Sequence, residues 1–175
     1  MSLNIPESLL QLEANCGVFA VWLILKQYQT SIDIADLIRL CRHDHQEGTF
    51  TIALAVALKK LGFNVSFYTS PDPDMDQNEK QIYLDAQLLQ IPINPALTYP
   101  QLQQEYEEGK FVIVFYDTLQ GVGNQSLVYS MDESEISFCD HFDLMSKYVF
   151  EQQHQAEGIC QQAIVIEQPV NYYPI

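Results

Sequence analysis

Basic residues are scarce in this sequence: eight lysines and arginines stand against 23 aspartates and glutamates, a formal net charge of −15. Such a field repels polyphosphates, and the few basic residues do not cluster, so no nucleic-acid partner is expected. An anionic membrane surface is disfavoured for the same reason. A basic peptide or the basic face of a protein is the partner that this charge permits. Paired cysteines are also missing. Cys16, Cys41, Cys139 and Cys160 lie far apart, with no CxxC pair and no zinc-type spacing, which reads as reduced thiols in a cytoplasmic protein. Long apolar runs are absent as well: Val18 to Leu25 is far too short to span a bilayer. The opening MSLNIPESLL lacks the basic and apolar regions of a secretory signal, so the expected location is cytoplasmic, with signal-free export as an open alternative. The acidic stretch PDPDMDQNEK at 71–80 has neither the turn glycine nor the terminal glutamate of a calcium loop, and reads as a solvated loop. No metal and no other cofactor is expected.

What is present is enough for one folded unit. With 47% hydrophobic residues in 175, a sizeable core can form, and no internal repeat or linker divides the chain, so residues 1–175 are expected to be a single domain. Residues 16–28, CGVFAVWLILKQY, read as a buried central helix. Ser31 is the expected cap of a second helix, and Thr49 or Thr51 that of a third, closed by Gly62. A strand with alternating Val65, Phe67 and Thr69 follows, then a short helix within 81–90 and another at Pro100–Glu108 capped by Thr98. Strands are expected at Phe111–Tyr116, Ser126–Met131, Glu135–Asp140 and Ala163–Glu167, with a helix around Asp143–Gln153. The fold class is therefore α+β, with N-terminal helices packed on a C-terminal antiparallel sheet.

The residue with most chemical promise is Cys16. A thiol reacts as its thiolate, and a helix N-terminus favours that form by presenting unsatisfied N–H groups and the positive end of the helix dipole. The order Asn15-Cys16-Gly17-Val18 sets Cys16 at such a helix mouth, with Gly17 leaving room for a substrate backbone. Alone, the residue could equally be an inert core thiol.

The wider succession is more specific. Gln11 lies upstream of Cys16-Gly17. A Cys-Gly helix and a second Ile/Leu helix are followed by GTFTIALAVALKKLGFNVSFYT, then by GKFVIVFYD and GNQSLVYSMDESEISFCD. Over residues 10–153 this resembles the papain-like cysteine peptidases that process double-glycine leader peptides in bacteriocin transporters. The resemblance implies a papain-like cysteine proteinase fold and a peptide or protein substrate. It implies Cys16 as nucleophile, Gln11 as oxyanion donor beside the Cys16 backbone N–H, and Asp140 as the residue that orients a histidine. Gly17 and Gln125 would contact substrate.

One member of that set departs from the family pattern. The place of the histidine falls on Asn124, or on Gln125 if the strand slips by one residue. Neither amide takes a proton from a thiol near neutral pH. Asn124 is the residue expected within hydrogen-bond reach of Cys16. His141 adjoins Asp140, but strand parity predicts that it faces away. His43, His45 and His154 read as surface residues, and Cys41 and Cys139 as packing. Two functions follow. One is an acyl hydrolase, peptidase or glutamine deamidase, that acts through the Cys16 thiolate. The other is a degenerate module that binds a peptide or protein segment in the former active-site groove.

Overall fold

The computed structural model describes residues 4–118 and 120–167; the Tyr172-Tyr173-Pro174 tail lies outside them. Four helices come first: α1 (Glu7–Leu10), α2 (Cys16–Gln27), α3 (Ile34–Leu40) and α4 (Thr51–Lys60). Then follow β1 (Asn64–Thr69), α5 (Gln77–Leu88), β2 (Ile93–Pro95), α6 (Tyr99–Glu107), β3 (Phe111–Asp117), β4 (Gly123–Met131), β5 (Glu135–Phe138), β6 (Met145–Ser146), α7 (Lys147–His154) and β7 (Ala163–Glu167). The strands form one sheet in the order β2-β1-β7-β3-β4-β5-β6. Every neighbouring pair is antiparallel except β1 and β2, which α5 connects as a parallel crossover. The class is α+β, but the sheet is not confined to the second half. β7 inserts between β1 and β3, and so ties a strand of the helical half to the rest of the sheet.

Local chemistry explains most element ends. α4 closes on Gly62 at φ +96°, with Phe63 N–H bonding Leu58 C=O and Gly62 N–H bonding Lys59 C=O, the paired bonds of a left-handed glycine stop. Thr98 and Gln101 form a reciprocal capping box at α6. Elsewhere the caps differ from expectation. Asp33, not Ser31, caps α3 by accepting from the N–H groups of Ala35 and Asp36. Neither Thr49 nor Thr51 caps α4, because Phe50 holds the cap position without a side-chain bond. α5 begins inside the acidic stretch, where Asp76 accepts from Asn78 N–H.

Two apolar cores form on opposite faces of the sheet. α2 is buried almost all round, as its uniformly apolar sequence requires. It packs with α4 against one face, where Val18, Val21, Leu54 and Leu58 meet Ile113, Leu127 and Ile164. α6 and α7 cover the other face, where Leu102 and Phe150 meet Val112, Val114, Tyr116 and Phe138. Successive residues of β3 and β4 therefore serve different cores. That alternation governs the site.

Candidate active site

Cys16 opens α2. Asn15, the cap residue, makes no cap bond; its Nδ2 donates instead to the Leu9 carbonyl at 2.8 Å. The first N–H groups of α2 are thus left toward the sulfur, and that of Gly17 acts on it. Such groups favour a thiolate. Burial does the opposite and is the largest influence on Cys16; the charge of Asp140 adds to it. The backbone N–H groups of Gln125 and Gly17 do not offset the two, and the thiol stands above its ordinary range.

The side chain against Cys16 is Gln125, not Asn124. The Cys16 thiol donates to Gln125 Oε1 at 3.6 Å, and the Gln125 backbone N–H donates to the sulfur at 3.5 Å. The amide orientation is fixed from its other end. Gln125 Nε2 donates to the Thr49 carbonyl at 2.6 Å and to Thr51 Oγ1 at 3.0 Å, so the oxygen must face the thiol. The threonines read as helix caps hold this amide instead. Gly17 takes part too: a Cβ there would come within 2.5 Å of Gln125 Oε1. The space beside Gly17, expected to admit a substrate backbone, is filled by the protein's own amide.

Asn124 projects to the other face of β4. Its Nδ2 donates to Tyr116 Oη at 2.8 Å, to Ser126 Oγ at 3.0 Å and to Asp140 Oδ2 at 3.4 Å. Ser126 Oγ also donates to Asp140 Oδ2, at 2.9 Å. The expected orienting acid therefore holds an asparagine and a serine. Asp140 Oδ1 meets His141 Nδ1 at 3.1 Å, contrary to the parity reading. The reason is that β5 ends at Phe138, so residues 139–141 bend away and no longer alternate as a strand. Ser126 and Tyr116 carry no signal in the sequence; only the register of Tyr116 opposite Asn124 and of Ser126 opposite Val114 marks them.

None of the remaining candidates is hydrogen-bonded to the sulfur. Gln11 Nε2 donates to Glu7 Oε1 at 2.8 Å on an exposed turn. Both nitrogens of His43 are engaged, one by Thr49 Oγ1 and one by the Glu13 carbonyl, each at 2.9 Å. His154 is buried rather than on the surface. Its Nδ1 meets the Phe115 carbonyl at 2.6 Å, its ring stacks on Phe150, and burial pulls its pKa down to about 4. Cys41 is buried in the core with a thiol pushed up to about 12. Among the described residues, no histidine nitrogen bonds Cys16, and no group of three His, Cys, Asp or Glu side chains could hold a metal ion. None of the described helices is long and apolar enough to cross a membrane.

Beside Gln125 opens a cavity of about 690 Å³, bounded by the turn before α4, the start of α5 and the ends of β3 and β7. Its lining includes Thr51, Gln125, Glu79 and Gln162.

Residues 8–90 match the Peptidase C39 family model. None of the curated proteins matches the chain. Among solved structures, the chain is similar to the peptidase domain of Streptococcus ComA, a bi-functional ABC transporter involved in a quorum-sensing pathway. The identity is 20% over 86% of this chain and 89% of that one, with a TM-score of 0.50. The chain is thus similar in sequence to the Peptidase C39 family over residues 8–90, and shares the papain-like fold of a C39-type peptidase domain over most of its length.

Proposed function

We propose, on the premise of a C39 peptidase-like chain with a papain-like fold, that this protein is a catalytically degenerate module that holds a peptide or protein segment in the groove beside Cys16 without cleaving it. The observation that carries this reading is the carbonyl oxygen of Gln125 against the Cys16 thiol. Acyl transfer requires a group there that removes the proton. An amide oxygen accepts the S–H bond and repels a thiolate, and Nε2 is pinned on Thr49 and Thr51, so the amide does not turn over. Desolvation and the Asp140 charge act in the same direction. The likeness to the Peptidase C39 family supports a peptide or protein as the bound class, and the cavity that opens beside Gln125 offers it room.

The competing reading is a cysteine hydrolase, peptidase or glutamine deamidase, with Cys16 as nucleophile. It draws on the family and on the helix-mouth position. The two readings separate on an activated ester. With p-nitrophenyl acetate, the degenerate reading expects the wild-type protein to release nitrophenol no faster than Cys16→Ala. A Cys16-dependent burst with an acetyl group trapped on that residue would restore the hydrolase.

A further inference from the structure

The cavity beside Gln125 has a floor of buried polar side chains: Gln125 at 4% exposure, Gln162 at 5% and Glu79 at 6%. Asp44, Asp72 and Asp76 also line it, yet each accepts backbone N–H groups in a turn or helix cap. Arg42, the cation of the lining, is ion-paired with Asp85. Glu79 is different. It occupies the third position of α5, where a glutamate ordinarily reaches back to the cap N–H. No such bond forms, and α5 is capped by Asp76 alone. The Gln162 amide acts on its carboxyl, and no cation among the described residues pairs with it. A carboxylate taken this far from water without a positive partner is unfavourable, and a ligand that brings the charge relieves it. The walls suit a long stem, since Phe50 and Phe115 offer apolar surface above that floor.

We propose that this cavity seats a cationic side chain of the bound peptide, with the Glu79 carboxylate as its counter-ion and the amides of Gln125 and Gln162 beside it. This rests on the reading of the groove as a peptide-binding site, and it names the chemistry of one residue of the ligand.

The test titrates the full chain with acetyl-Gly-Arg-Gly-amide and with its citrulline isostere, which keeps the shape and removes the charge. Side-chain amide signals of Gln125 and Gln162 are followed by NMR. The arginine peptide is expected to move both, with affinity at least fivefold above the citrulline peptide, and Glu79→Gln is expected to abolish that preference. The comparison of the two peptides on the wild-type protein stands even if the variant folds poorly. Equal binding of the two peptides overturns the cationic assignment and leaves peptide binding in the groove intact. Absence of movement at Gln125 and Gln162 with the arginine peptide also overturns it. Cys16-dependent turnover of p-nitrophenyl acetate decides the underlying reading separately.

Discussion

The two faces of β4 carry two hydrogen-bond networks, one around Cys16 and one around Asp140, and the Asp140 charge still reaches the thiol. On the α2/α4 face, Cys16 sits at a helix mouth against Gln125. On the α6/α7 face, Asp140 holds Asn124 and Ser126, with Tyr116 completing the network. A base that joins thiol and acid must reach both. Here adjacent residues of one strand divide the contacts: Gln125 meets the thiol and Asn124 meets the acid. Helix-mouth placement alone is therefore not activation. Under the proposed degenerate reading the thiol has the N–H environment of a nucleophile, and among the described residues no histidine nitrogen bonds it.

The faces also differ in how they should answer perturbation. The largest expected effect belongs to the α6/α7 face, through His154. Its folded pKa of about 4 lies below the unfolded 6.5, so the unfolded chain binds the proton first as pH falls. Its contribution to stability is complete above pH 6.5, is lost between 6.5 and about 4, and amounts to roughly 3 kcal/mol. Urea unfolding across that range should show a steeper loss in wild type than in His154→Phe. Equal slopes would remove the titration from this face.

Next is Gly17→Ala on the thiol face. An exposed helix would gain about 1 kcal/mol from this change. Here the new methyl strikes a pinned amide, and a loss of about 2 kcal/mol is expected by denaturation, recovered in part when Gln125→Ala is added. A stabilised Gly17→Ala would show that Gln125 is not held as described. The smallest effect is expected from Ser126→Ala, which removes a hydrogen bond to Asp140 and should cost about 1.5 kcal/mol. Its value for the comparison lies in what it leaves alone: alkylation of Cys16 should change less than twofold. A larger change would mean that the two faces act as one site.

Much of this arrangement can be read from residue order. The apolar run after Cys16 gives the central helix and places the thiol at its mouth, and Thr98-Tyr99-Pro100-Gln101 announces the α6 cap. The sheet order is hidden, because the pairing of β1 with β7 joins residues about a hundred positions apart and no local pattern specifies it. The residue beside the thiol is ambiguous for a related reason. A one-residue slip exchanges Asn124 and Gln125 between faces, and only their contacts with α2, α4 and Asp140 decide the register. His141 escaped because parity holds within a strand, and the strand ends before it. Gly17 shows the limit of reading one residue at a time: room beside a glycine can belong to substrate or to protein, and Gln125 lies 109 residues from the neighbouring Cys16.

The most direct measurement is the pH dependence of Cys16 alkylation by iodoacetamide, followed on the Cys16 peptide by mass spectrometry. A thiol held as donor to Gln125 should react no faster than free cysteine at neutral pH, with its midpoint above that of an unfolded peptide thiol. A rate already at its plateau at pH 7 would mean a resident thiolate, and would contradict the account of Cys16 as a nucleophile without a base.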